Sequence, residues 1–405
     1  MKKSPLLSID AFGKTEEDVR VRTRTGGLIT VSCIIITMLL LVSEWKQFST
    51  IVTRPDLVVD RDRHLKLDLN LDVTFPSMPC NVLNLDILDD SGEFQINLLD
   101  SGFTKIRISP EGKELSKEKF QVGDKSSKQS FNEEGYCGPC YGALDQSKND
   151  ELPQDQKVCC QTCDDVRAAY GQKGWAFKDG KGVEQCEREG YVESINARIH
   201  EGCRVQGRAQ LNRIQGTIHF GPGSSMRNIR GHFHDTSLYD AYPHLNFNHI
   251  INTLTFGEKP KDGDSELIGS ASISPLDSRQ VFPDRDTHFH EFSYFCKIIP
   301  TRFEFLDGKK VETTQFSATY HDRPLRGGRD EDHPNTVHSK GGVPGVFFNF
   351  EMSPLKVINK EQHATSWSGF LLNCITSIGG VLAVGTVIDK ITYRAQKSIW
   401  GKKSS

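Results

Sequence analysis

The chain has 405 residues, 25% of them charged, and a formal net charge of −3 at pH 7, with a sequence pI near 6.5. That balance offers no broad basic field for a phosphate backbone, which excludes nucleic acid as a partner. The length is ample for a sizeable buried core.

The first feature along the chain is the apolar run GGLITVSCIIITMLLLVSEW, Gly26 to Trp45. It is long enough to span a bilayer. It starts too far into the chain and runs too long for a signal-peptide core, and no small-residue cleavage site precedes Trp45 and Lys46, so 26–45 is predicted to be a retained transmembrane helix. A second uncharged run, SGFLLNCITSIGGVLAVGTVI, predicts another span over 368–388. Gly379 and Ala383 give that helix a small-residue packing face. Lys2, Lys3, Lys14, Arg20, Arg22 and Arg24 precede the first span, and Lys390, Arg394, Lys397, Lys402 and Lys403 follow the second. Lys and Arg resist translocation, so 1–25 and the tail 389–405 are expected in the cytosol, and 46–367 in the lumen of the secretory pathway.

After the first span, HLKLDLNLDVTF alternates Leu65, Leu67, Leu69, Leu71, Val73 and Phe75 with polar residues, the period-two pattern of a half-buried strand. NVLNLDILD repeats it, and GTIHF, NTLTFGE, HEFSYFCKIIPTRFEF, TQFSATYH and GVFFNFEM are further strand candidates separated by turn signals such as DDSGE and FGPGSS. The predicted fold is therefore mainly β: a twisted antiparallel β-sandwich flanked by two transmembrane α-helices. The polar stretch from about Lys113 to Ser130 reads as a linker into a cysteine-rich insertion, 131–203, in which CDDVRAAYGQKGW and VEQCEREGYVESI read as short helices. The lumenal segment contains no N-x-S/T sequon.

The insertion carries Cys137, Cys140, Cys159, Cys160, Cys163, Cys186 and Cys203, to which the segment adds Cys80 and Cys296. In an oxidising lumen most should pair, and the odd number leaves one thiol over. Three chemistries compete. Cys137-Gly-Pro-Cys140 has the sequence of a redox dithiol, although the flanks lack the strand and helix that chemistry uses. The two CxxC pairs are spaced as in a four-thiolate zinc site. The third reading is a loop-rich insertion held by disulfides, whose Val166, Ala168, Ala169, Tyr170, Trp175 and Phe177 either offer an apolar patch to a partner or pack beneath the bridges. No nucleophile motif, phosphate-binding loop or metal triad stands out, so neither a cofactor nor an enzymatic activity is predicted, a thiol-disulfide oxidoreductase being the alternative.

Between Ile218 and His290 lie His219, His232, His234, His244, His249, His288 and His290, seven of thirteen histidines. Their unperturbed pKa, about 6.5, suits a proton-operated switch between a near-neutral and a mildly acidic compartment. The chain ends GKKSS, which sets Lys402 and Lys403 four and three residues from the end. Two ammonium groups at a fixed distance from a terminal carboxylate form a retrieval signal that a cytosolic vesicle coat can read.

VCCQTCDDVRAAYGQKGWAF, VEQCEREGY, EGCRVQGRAQLNRIQGTIHFGPG, NHIINTLTFGE and the amino-terminal DAFGKTEEDVRVRTRTGG resemble the ER-Golgi intermediate compartment protein 3 family over nearly the whole chain. The resemblance implies a membrane cargo receptor that cycles between ER and Golgi in coated vesicles. It further implies pairing with a smaller sister subunit and the return of escaped lumenal ER residents. Family members carry a forward-export signal in the tail, for which Ile399-Trp400 or Tyr393 is available here.

Overall fold

The computed structural model describes residues 24–61, 66–90, 102–120, 136–177, 179–223, 225–228, 231–257, 268–269, 273–329 and 335–401. The strands are β1 (Ile51–Val59), β2 (Leu67–Phe75), β3 (Leu83–Asp89), β4 (Gly102–Ile108), β5 (Glu114–Phe120), β6 (Gly202–Leu211), β7 (Gly216–Pro222), β8 (Ser225–Asn228) and β9 (Gly231–His234). They continue as β10 (His249–Phe256), β11 (Arg279–Val281), β12 (His290–Glu304), β13 (Lys310–Pro324), β14 (Gly328–Arg329), β15 (Val337–His338), β16 (Gly345–Met352) and β17 (Leu355–His363).

Two sheets make the β domain. One runs β11-β10-β2-β6-β4-β5, and the other runs β1-β17-β12-β16-β7-β3 with β13 on the free edge of β12. β2 shows why the sheets face each other. Leu67, Leu69, Leu71, Val73 and Phe75 are all buried while the residues between them are half-exposed, so one face is apolar and must be covered. The cover comes from the other sheet: Phe75 meets Phe220 of β7 at 4.9 Å between ring centroids, and Phe256 of β10 meets Phe350 of β16 at 5.8 Å. Each such side chain contributes about 1.5 to 3 kcal/mol through burial. Cys203 of β6 is bonded to Cys80 across 123 residues of sequence, a closure worth about 4 to 5 kcal/mol in the chain-entropy account.

The sandwich departs from the expected all-antiparallel pattern at β16, which runs parallel to β12, Glu291 opposite Gly345 through Ile298 opposite Met352. β13 and β16 pair with opposite edges of β12, so the connection between them is a crossover, as a parallel pairing requires.

A second compact unit holds two helices, Arg24–Ser49 and Trp367–Gly401, with candidate spans Gly26–Ser49 and Trp367–Thr392. Both spans run longer than the apolar stretches predict. The tight approach between the helices falls not on Gly379 but on Gly385, where a Cβ would stand 2.6 Å from Cys33 Sγ; nothing lies within 4 Å of a Cβ on Gly379. Asn373 donates to Glu44 at 3.0 Å, and Trp45, Phe48, Trp367 and Phe370 cluster at one end of the pair.

Candidate functional site

The insertion has its own small core, separate from that of the sandwich, in which Cys140, Cys160, Cys163 and Cys186 lie among Ala143, Val166, Ala169, Phe177 and Val183. Three disulfides hold it: Cys137–Cys159, Cys140–Cys160 and Cys163–Cys186. Neither CxxC closes on itself. The CGPC segment lies beside Cys159-Cys160 and the two are joined by adjacent rungs, while Cys163 reaches on to Cys186. A thioredoxin-type dithiol needs both cysteines of one motif in one bridge, and a four-thiolate zinc site needs free thiolates. The bridges supply neither.

Gly138 permits the close contact between these segments. Its carbonyl accepts from Cys160 N–H at 3.1 Å, and a Cβ there would stand 2.1 Å from the Cys160 carbonyl oxygen. The loop backbone has few regular partners, so two glutamines supply them. Gln146 donates to the carbonyls of Gly138 and Val158 at 3.1 and 2.8 Å and accepts from Cys140 N–H at 2.7 Å. Gln185, 0% exposed, donates to Pro139 and Cys160 carbonyls at 2.9 and 2.8 Å. Buried backbone groups of this kind must be satisfied. Neither glutamine stands out in the sequence, because nothing marks an amide side chain as a loop partner before the loop is folded.

The helix Cys163–Lys173 starts on a capping box, Thr162 with Asp165, and ends at Gly174 with φ +70°. The helices expected in VEQCEREGYVESI are Glu184–Arg188 and Tyr191–Arg198. Of the residues expected either in an apolar patch or beneath the bridges, Val166, Ala169 and Phe177 pack inward and line the insertion core. Ala168 and Trp175 face outward, Trp175 at 46% exposure just past the Gly174 turn. Tyr170, half-buried, holds Trp175 edge-on at 5.6 Å and Phe177 at 5.7 Å. Cys203 is not part of this cluster, since its bridge to Cys80 belongs to the sandwich. Cys296 is the free thiol of the β domain among the described residues, and burial pushes it up to about 12.

The histidines do not form one group. His249 is fully buried, donating through Nδ1 to the Phe247 carbonyl at 2.9 Å and meeting Tyr294 Oη at 2.7 Å through Nε2. Burial, with a smaller contribution from Arg279, pushes its pKa down to about 4, so it stays neutral across the range expected of a switch. His288 is stacked on Tyr239 at 4.4 Å and donates to the Leu245 carbonyl. His290 pairs with Asp322 at 2.7 Å, whose carboxylate also binds Arg285. His244 is near the Ile199 carbonyl at 3.2 Å and His200 at 4.7 Å. His219 and His234 come together with Asp86, all three buried. The side chain of His232 and the tail lysines Lys402 and Lys403 lie outside the described residues.

A family model described as Endoplasmic reticulum vesicle transporter matches residues 140–389, and one described as Endoplasmic Reticulum-Golgi Intermediate Compartment (ERGIC) matches residues 6–96. The chain is 64% identical over 415 residues to the ER-derived vesicles protein ERV46 of Saccharomyces cerevisiae, covering 100% of each. It is 33% identical over 403 residues to the probable endoplasmic reticulum-Golgi intermediate compartment protein 3 of Dictyostelium discoideum, covering 98% of this chain and 97% of that protein. Among solved structures, the crystal structure of Erv41p matches with a TM-score of 0.37 and 16% identity, over 75% of this chain and 99% of that one. The chain belongs to the endoplasmic reticulum vesicle transporter family and takes part in vesicle trafficking at the membranes of the early secretory pathway.

Proposed function

We propose that the protein is a cargo receptor that binds escaped ER residents in the lumen of the Golgi and returns them to the ER, with both termini in the cytosol. The observation that carries this reading is the insertion: a rigid module with a disulfide-bonded core, built separately from the sandwich core, that holds an exposed indole on a turn. An exposed aromatic braced by its neighbours is a binding anchor of low entropic cost. The bridges fix that surface without offering a reactive dithiol, which favours a receptor over an oxidoreductase. Lys402 and Lys403 serve as the return signal read by the vesicle coat, and a smaller sister subunit of the same family completes the receptor.

Release follows pH in this scheme. His249, held neutral by burial, drops out of the candidate switch. Cargo that prefers the protonated receptor binds more tightly as pH falls and leaves on return to the ER.

The test is crosslinking in intact membranes followed by purification of the full-length chain from ER and Golgi fractions. The proposal expects the sister subunit together with soluble lumenal ER residents, the latter enriched in the Golgi fraction. Recovery of the sister subunit and coat proteins with no soluble lumenal protein in either fraction would sink it.

A further inference from the structure

β3 and β7 pair in antiparallel register and send Leu85, Ile87, Ile218 and Phe220 into the core. Asp86 and its cross-strand neighbour His219 point the other way and belong, by period, on the solvent face. They are nevertheless only 1% and 4% exposed, because the chain after β7 returns over them and lays down His234, itself 8% exposed. Polar groups buried there cost free energy unless something satisfies them.

The hydrogen bonds narrow what that something is. His234 Nδ1 lies 3.1 Å from the Pro222 carbonyl oxygen, an atom that can only accept, so Nδ1 carries the hydrogen. A neutral ring then turns the lone pair of Nε2 toward Asp86 Oδ2, which lies 3.2 Å away. That carboxylate already accepts from Asn84 Nδ2 at 3.0 Å and from Ser225 Oγ at 2.9 Å. A lone pair facing a carboxylate oxygen requires a positive centre between them, which is a proton or a metal ion.

His219 favours the metal. Its ligand atom and those of Asp86 and His234 all lie within 4.8 Å of one another. Two imidazoles and a carboxylate are a donor set that zinc takes in sites with an open fourth position. The carbonyl on the far nitrogen of His234, and Asn84 and Ser225 on the carboxylate, are the outer partners that orient such ligands. Gly221 keeps the space clear, since a Cβ there would stand 2.8 Å from His219 Nε2 and 2.9 Å from His234 Cε1.

We propose that Asp86, His219 and His234 bind one divalent transition-metal ion of the zinc type, which pins the end of β9 onto the β3–β7 pair. Bonds of about 2.0 to 2.1 Å place tetrahedral ligand atoms about 3.4 Å apart, so the set contracts from its present span of up to 4.8 Å. His219 and His234 line a cleft of about 470 Å³ together with Asp89, Asp90 and Glu291, of which Glu291 is already paired with Arg323 at 2.6 Å. Lys105, the neighbouring cation, donates to the carbonyls of Cys80 and Leu83 at 3.2 and 2.6 Å, and burial lowers its pKa to about 8 against the opposing pull of Glu118 and Asp86. The site also reaches the insertion. Asp235, next to His234, accepts from Phe177 N–H at 3.4 Å, so a filled site steadies the strand that braces the Trp175 segment.

The test uses the full-length chain purified in detergent, stripped with a chelator and titrated with zinc and with cobalt. The expected result is one equivalent retained through dialysis, with visible cobalt bands of nitrogen and oxygen ligation and no thiolate-to-cobalt charge transfer. Retention should weaken at least about a hundredfold in His219→Gln and Asp86→Asn, and about tenfold in Asn84→Ala. His290→Gln, which alters a different His–Asp pair, should bind normally. Because a variant at a buried site can fail to fold, the wild type supplies a second readout: zinc should raise its Tm and the chelator should lower it. No retained metal and no Tm shift in the wild type would overturn the proposal and leave a proton between His234 and Asp86. Equal retention by the wild type and His219→Gln would overturn it as adventitious surface binding.

Discussion

His249 shows how burial turns a titratable side chain into a stability element. Its folded pKa of about 4 lies below the unfolded value of about 6.5. The unfolded chain therefore binds a proton that the folded chain refuses between those values, and stability is lost as pH falls through that window, at about 1.4 kcal/mol per pH unit. Urea unfolding of the full-length chain from pH 7 to pH 4.5 should show this slope, and His249→Gln should reduce it by about one proton. An unchanged slope in the variant would mean that other groups dominate. Cys296 makes a separate prediction. Its thiol is buried and held protonated, so alkylation should miss it in the native protein and find it in denaturant without reductant. The eight bridged cysteines should label only after reduction.

At the scale of elements, the insertion and the sandwich should come apart in stability. Cys163→Ser with Cys186→Ser removes one bridge from the insertion core, at a cost of about 2 to 4 kcal/mol, while the sandwich keeps Cys80–Cys203. Limited proteolysis should then cut between Cys159 and Arg188 and leave the strands intact. Loss of the whole β domain at the same protease dose would contradict a separate insertion core. Gly138→Ala should have a similar local effect, because its methyl would meet the Cys160 carbonyl.

The elements were unequally legible from sequence. β2 could be read directly, since alternation is a local property, and over LDLNLDVTF its buried face is the one expected. The helix at Cys163 carries its own cap and stop signals. The bridging pattern could not be read, because two CxxC pairs and an adjacent Cys159-Cys160 allow several connectivities at the same spacing. Asp86 was invisible for a different reason. It occupies the polar phase of β3, and only the return of the chain at His234, far along the sequence, buries it. Histidine density likewise said nothing about which rings meet.

At the scale of the whole molecule, the proposed receptor would pair a lumenal binding module with a cytosolic return signal across two membrane spans. Replacing Lys402 and Lys403 by serine should move the protein forward from the ER, because coat recognition needs both charges at a set distance from the carboxylate. An unchanged distribution across ER and Golgi fractions would remove the tail from the mechanism. Cargo affinity should be higher near about pH 6 than near about pH 7.4. A flat profile in the wild type would mean that release has another cause.

The most direct measurement of the central claim is quantitative crosslinked capture from intact membranes by the full-length wild type and by Trp175→Ala. The indole is exposed, so its removal leaves the insertion core and the sandwich in place. The account predicts that captured lumenal ER residents fall by about tenfold, equivalent to about 1.4 kcal/mol of binding, while the sister subunit is recovered in full. Undiminished capture of those residents by Trp175→Ala would contradict it and place the binding surface elsewhere on the lumenal domain.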